Sequence, residues 1–293
     1  MTLQEAFDNF IMSRRLAGLS EKTIYNYTLF VAPMVRYFGA DFNFSDLTQE
    51  LVNEYLLKLV NGSYSRSTRA TYIRHVKIFL RWCESEYGAG YEAKRIKVPK
   101  STKREVKIYS DDDVRLIFNS IKAENGWITA RNKSIIALMY DSGLRQSEIC
   151  SLRSCWVSDD RLIVHGKGDK ERCVPLGALS KQFLSDYFAI CPFHTDMVFV
   201  SNKGDTLTCD AVKHMVFKLA RKLPFALSSH KLRHNFATNY CLDQYERNGQ
   251  IDIYQLMYIM GHEEIKTTQR YLHFAYEIIA GRNHISHLDK IAL

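Results

Sequence analysis

Apolar residues recur three and four apart in Leu3, Phe7, Phe10 and Ile11, and again in Leu47, Leu51, Tyr55, Leu56 and Leu59. This spacing predicts helices with one buried face over residues 1 to about 90. Start signals stand at Ser20 before Glu21 and at Ser45 or Thr48, and Asn61-Gly62-Ser63 is a turn. The stretch from Ser67 to Tyr87 predicts a helix with two stripes. Tyr72, Ile73, Val76, Phe79 and Leu80 form the core side, and Arg66, Arg74, Lys77 and Arg81 form a basic side. Gly88 to Ser110 has little apolar periodicity and carries Gly88, Gly90, Pro99 and a run of Lys and Arg, which predicts a domain boundary. Ser110 with Asp113 makes a capping box opening a helix from Asp111 to about Lys122, and a second helix is expected over Asn132 to Tyr140. Short β-favouring runs at 161–164 and 172–174 flank a Gly-rich turn and predict a hairpin stopped by Pro175. Met197 to Val200 reads as one more strand. Helices resume from Asp210, with Asp243 to Gln250 expected as a surface loop.

Composition narrows the class. The chain has 293 residues, 46% hydrophobic and 25% charged, which fits a folded soluble protein of one large or two ordinary domains. Its longest stretch without Asp, Glu, Lys or Arg is the 13 residues from Thr23 to Val35, too short for a membrane span. Glu5 and Asp8 precede any apolar run, which speaks against a secretory signal, and seven scattered cysteines without a C-x-x-C fit reduced thiols in a cytoplasm. The net charge is +8, and Arg66 to Lys107 alone holds 12 basic against 4 acidic residues. A localised excess of this kind suits a polyanion, nucleic acid ahead of a membrane; a solvated helix face beside a charged linker is the alternative.

Local motifs for other chemistries are incomplete. His230 and His234 are four apart, but His262-Glu263 lacks the second histidine of a zinc-protease helix, with Lys266 in its place, and Cys191 and His194 have no matching pair. No metal and no other cofactor is assigned. Gly166-Lys167-Gly168 lacks the spacing of a nucleotide-binding loop. What remains is a set of cations and a tyrosine: Arg145 after the turn at Gly143, His230 and Arg233 on one helix face, His262 after Gly261, and Tyr271. Taken singly, each has a structural reading as an ion pair, a cap or a half-buried ring.

Together, in order, they resemble the tyrosine recombinase (integrase) family. Ser142-Gly-Leu-Arg-Gln-Ser-Glu148 is similar to its first arginine box, and Gly166-Lys-Gly-Asp-Lys-Glu-Arg172 before Val174-Pro-Leu176 to its hairpin lysine box. His230-Lys-Leu-Arg-His-Asn-Phe-Ala-Thr238 resembles its H-x-x-R box, and Met260-Gly-His262 with Thr267-Thr-Gln-Arg-Tyr271 its closing boxes.

The resemblance implies a mainly α protein of two domains. Residues 1–98 would be a helical, SAM-like core-binding domain, 99–107 a basic linker, and 108–293 a mixed catalytic domain with a small antiparallel sheet. Tyr271 would be the nucleophile of a 3′-phosphotyrosine link, Arg145 and Arg233 the clamps on the phosphate, and Lys167 the donor to the departing 5′ oxygen. His230 would act in proton transfer, His262 would hydrogen-bond the phosphate, and Glu148 would orient Arg145 or His230. A phenol is a weak nucleophile at neutral pH, and guanidiniums suit the charge gathering on phosphate oxygens.

Candidate DNA contacts are Arg66, Arg74, Lys77 and Arg81, with Lys100, Lys103 and Arg104 of the linker. The expected partners are duplex DNA with an inverted-repeat core site and further copies of the chain, four in synapsis, exchanging the terminal helix whose apolar face is Phe274, Ile278, Ile279, Ile285, Leu288 and Ile291. A second recombinase or an accessory protein is compatible with this scheme; a membrane is not, and the expected location is the cytoplasm. The setting expected is integration, excision or resolution of a mobile element or replicon. The rival readings are a type IB topoisomerase-like relaxing enzyme and a non-enzymatic DNA-binding regulator.

Overall fold

The computed structural model describes residues 1–100, 108–166 and 170–282. It is mainly helical, with one two-stranded antiparallel sheet, and divides into two compact units, Met1–Arg104 and Glu105–Leu293. The candidates Lys103, Arg104 and Lys167, and the apolar positions 285, 288 and 291, lie outside the described residues.

The first unit holds α1 (Leu3–Leu16), α2 (Glu21–Phe38), α3 (Gln49–Asn61) and α4 (Arg66–Tyr87). Side-chain oxygens of Thr2, Ser20, Thr48 and Ser65 accept from amides three residues on, so each helix starts where an orphan N–H finds a local acceptor. The core joins the apolar faces through edge-on rings, with Phe79 of α4 against Phe7 and Phe10 of α1. On the other side of α4, Arg66, Arg74 and Arg81 are exposed. Lys77 is half-buried instead, and its ammonium donates to the Ile96 carbonyl at 2.5 Å, so part of its role is to hold the chain leaving the helix. Lys100 is exposed.

The second unit is built around α6 (Gly126–Asp141), whose residues Ile135 to Met139 are all buried. It packs between α8 (Ala178–Ile190) and α10 (Ser229–Asn248). The remaining helices are α5 (Asp111–Ser120), α7 (Gln146–Ser151), α9 (Cys209–Ala220), α11 (Ile253–Met260) and α12 (Ile265–Arg282). The Ser110–Asp113 capping box forms as expected. Strands β1 (Arg161–His165) and β2 (Glu171–Pro175) pair Arg161 with Pro175 through His165 with Glu171. Leu162, Val164, Arg172 and Val174 are their buried positions.

Three expectations of local structure are corrected. The run 243–248 is the last part of α10, not a loop. Its Gln, Glu and Arg are good helix formers, and the helix stops only at Gly249, whose φ of 68° closes it. Met197–Val200 is not a strand: it makes isolated bridges at Arg153–Met197 and Val200–Thr206, the ladder needing a longer partner than either offers. Helix α6 begins at Gly126, six residues before the expected Asn132, because its first turns pack Trp127 and Ala130 on the core.

Candidate active site

Arg145 stands in the loop between α6 and α7. Gly143 makes the turn with φ 63°, and a Cβ there would overlap the Phe236 ring of α10. The turn is further tied to the sheet by Ser142, whose hydroxyl donates to the Pro175 carbonyl at 3.0 Å. Glu148 then accepts from the Arg145 backbone N–H at 2.7 Å, capping α7, and from its Nη1 at 2.8 Å.

Three guanidiniums meet at one helix end. Arg172 donates from Nε to the Ile259 carbonyl at 2.7 Å, Arg233 from Nη2 to Met260, and Arg145 from Nη2 to Gly261 at 2.7 Å. These consecutive carbonyls close α11, where the last C=O groups lack intrahelical partners and the helix dipole is negative. The backbone of α11 thus supplies acceptors that no side chain in the sequence advertises. Gly261, at φ 57°, leaves the room: a Cβ would lie 3.0 Å from Arg172 Nη1 and 3.2 Å from Arg145 Nη1.

Glu148 is the carboxylate of this group, buried to 4% exposure. Besides Arg145 it receives both terminal nitrogens of Arg172, each at 2.8 Å, and Arg233 Nη1 lies 3.9 Å away. Burial would raise its pKa, but the Arg172 and Arg145 contacts outweigh burial and hold it below the ordinary carboxylate range. Arg233, 6% exposed, is pulled down to about 10 by burial and by Arg145 and Arg172, with Glu148 opposing; it stays protonated at neutral pH. Three cations against one carboxylate leave a positive site.

His262 lies between this cluster and Tyr271. Its Nδ1 is 2.8 Å from Thr268 Oγ1 and its Nε2 3.4 Å from Arg233 Nη2. The Tyr271 ring stacks on it at 6.2 Å and 12°, is 5.2 Å from the His234 ring, and is 3% exposed under the Arg270 guanidinium. Burial raises the phenol above its ordinary value, against the pull of Arg270, Arg233 and Arg145. A cleft of about 1030 Å³ is lined by Arg145, Glu148, Arg172 and His262, with Gly166 and Lys170 of the hairpin turn; Arg233 and Tyr271 stand behind this wall.

The structure therefore brings Arg145, Arg233, His262, Tyr271 and Glu148 together. His230 is exposed on the first turn of α10 and reaches the tyrosine through His234, whose ring is 5.9 Å from its own. Sequence reasoning gave no catalytic role to Arg172 or His234. Alternation along β2 puts Arg172 on the face of Val174, and an arginine on the core side of a strand signals a buried partner. His234 has a buried Nδ1 with no hydrogen-bond partner.

Burial and the arginines push His262 down to about 3 and His234 to about 4, from an ordinary 6.5. Both are neutral in the folded chain at pH values where an unfolded histidine is protonated. Unfolding thus takes up protons between about pH 3 and 6.5. The stability from this source is complete above 6.5 and is lost as pH falls. Melting temperature is expected to drop from pH 7.5 to 5, less steeply in His234→Phe; equal slopes would contradict the assignment.

The model of the phage integrase family matches residues 107–277, and that of the phage integrase N-terminal SAM-like domain residues 6–63. The chain belongs to the phage integrase, or tyrosine recombinase, family. It is 28% identical over 287 residues to the tyrosine recombinase XerD of Chlamydia pneumoniae, covering 94% of this chain and 91% of that one. To XerC of Rickettsia peacockii it is 30% identical over 230 residues, 75% and 73% of the two chains. Its fold resembles a lambda integrase dimer bound to a core site, with TM-score 0.74, 18% identity and 92% and 95% coverage. It also resembles XerH recombinase in a post-cleavage complex with a palindromic substrate, with TM-score 0.71, 20% identity and 89% and 78% coverage. Family membership makes this chain a DNA strand transferase. No helix among the described residues is long and apolar enough to cross a membrane.

Proposed function

We propose that this chain is a site-specific recombinase that cuts and rejoins duplex DNA through a 3′-phosphotyrosine at Tyr271. The observation that carries the reading is the run of contacts from Arg233 through His262 to the Tyr271 ring, with Arg145 anchored on the adjoining Gly261 carbonyl. The Tyr271 oxygen attacks the scissile phosphorus and the P–O5′ bond breaks. Arg145 and Arg233 take the charge on the non-bridging oxygens, and His262 hydrogen-bonds one of them. Lys167 protonates the leaving 5′ oxygen, and His230 takes part in moving the phenolic proton. The reverse attack by a new 5′-hydroxyl reseals the strand, so the bond energy is conserved and no ATP is consumed. Since Tyr271 is 3% exposed behind the cleft wall, α12 shifts to present it to the phosphate.

The DNA ligand is a core site of inverted repeats, gripped by Arg66, Arg74, Arg81 and Lys77 of α4 and by Lys100, Lys103 and Arg104. Four copies act in synapsis, as in the lambda integrase tetramer bound to a Holliday junction, whose fold this chain resembles at TM-score 0.71. Through Ile279, α12 packs on its own unit against α10 and α11; in the assembled state the segment beyond it docks on a neighbouring copy. The setting is integration, excision or resolution of a mobile element or replicon.

The test is a duplex nicked just 3′ of the scissile phosphate, so that the cut fragment diffuses away and the adduct accumulates. Peptide mapping should place the DNA on Tyr271. Because guanidiniums carry the phosphate charge, adduct yield is expected to be unchanged in excess EDTA. An adduct on another residue, or dependence on added Mg²⁺, would defeat the respective part. Relaxation of site-free plasmid by a monomer would instead favour the topoisomerase reading.

A further inference from the structure

Arg172 looks redundant for the chemistry above: a third guanidinium beside two that already suffice to clamp a phosphate. Its surroundings give it a different task. It is 6% exposed, and Nε, Nη1 and Nη2 are each engaged, one on the Ile259 carbonyl and two on Glu148. Glu148 in turn has each oxygen accepting twice: Oε1 from Arg145 Nη1 and Arg172 Nη1, Oε2 from the Arg145 backbone N–H and Arg172 Nη2. The bidentate face of the carboxylate points at Arg172. Arg233 stands just outside, 3.9 Å from Oε2 and beyond hydrogen-bond range.

A buried carboxylate does not stay unpaired. Without Arg172, the cations within reach of Glu148 are Arg145 and Arg233, the two that the proposed reaction needs for the phosphate. A fork-to-fork ion pair formed there would cancel the charge of a clamp and tie up its N–H groups. We infer that Arg172 is a positioning residue that takes the bidentate face of Glu148, so that Arg145 shares a single side-chain contact with the carboxylate and Arg233 none, and both keep net charge for the scissile phosphate. This rests on the function proposed above. Its hydrogen bond to Ile259 anchors β2 to the α11 terminus that holds the other two arginines, so one side chain fixes both the carboxylate and its own strand.

The test uses the full chain and the nicked duplex in single-turnover cleavage, with mobility shift as the measure of binding. Adduct formation by wild type tests the reaction itself; the comparison among variants tests the role of Arg172. Arg172→Met is expected to lower the cleavage rate on the order of 100-fold, with duplex affinity within about threefold of wild type. Removing the carboxylate charge as well, in Arg172→Met with Glu148→Gln, should recover at least about tenfold of that loss, because nothing is left to neutralise the clamps. A duplex with a neutral methylphosphonate at the scissile position has no anionic charge to clamp, and the gap between wild type and Arg172→Met should there shrink to about threefold or less.

If Arg172→Met fails to fold, Arg172→Lys replaces it. Lysine keeps a charge on Glu148 but loses the fork, and a smaller loss of about tenfold is expected, again confined to the phosphodiester. Equal losses on both substrates, or a double variant as slow as or slower than the single one, would show an architectural strut only and overturn the inference.

Discussion

A Tyr271→Phe chain is expected to bind its duplex and form no covalent adduct. Attack on phosphorus needs the phenolic oxygen, and losing the nucleophile removes the covalent route outright, a loss of at least about 10⁴-fold. The substitution should be quiet in every other respect. The ring is 3% exposed, stacked on His262 at 6.2 Å and leaning on His234 at 5.2 Å, and phenylalanine keeps those contacts. Melting temperature is therefore expected to stay within a few degrees of wild type. Denaturing gels of the nicked duplex and a mobility shift under the same conditions decide the matter. Adduct formed by the phenylalanine chain would place the nucleophile elsewhere.

The second large effect is expected at Arg233, where charge and architecture coincide. Its terminal nitrogens donate to the Gly143 and Met260 carbonyls, joining the loop that carries Arg145 to the end of α11. Arg233→Ala removes a proposed clamp and also leaves both carbonyls without that donor in a site where Arg233 was 6% exposed. Cleavage should fall by about 10³-fold, near 4 kcal/mol of barrier, and stability by about 2 kcal/mol. Arg233→Lys separates the two effects. An ammonium supplies the charge but cannot span both carbonyls with a planar fork, so cleavage is expected to fall about 100-fold with less loss of stability. Single-turnover rates beside thermal melts measure both quantities; a lysine chain cleaving at the wild-type rate would show that the geometry of the fork is immaterial.

Much of this was legible before any coordinates. Ser20, Thr48 and Ser110 cap the helices they precede, because a hydroxyl near an orphan amide acts within three residues. The hairpin follows from local β-favouring runs around a glycine turn. Where the reading failed, the deciding contact was distant or the local signal was mixed. The polar run 243–248 looked like a loop, yet its helix propensity carries α10 on to Gly249. The apolar run 197–200 looked like a strand, yet it is a connection pinned by single bridges. His234 was read only as half of an incomplete metal pair, and its contact with Tyr271 comes from the packing of α10 on α12.

The order and spacing of Arg145, His230, Arg233, His262 and Tyr271 were determined by the amino-acid sequence alone, as was the capping that starts most of the helices. The tertiary structure decided which charges remain usable. Glu148 is paired with Arg172, from a strand 24 residues away, and the three arginines are held by the carbonyls of Ile259, Met260 and Gly261. A carbonyl is common to every residue and carries no letter of its own, so its value as an anchor exists only once a helix ends beside a guanidinium. The charge a side chain can offer a phosphate is likewise set by what lies within a few ångströms of it in the folded chain.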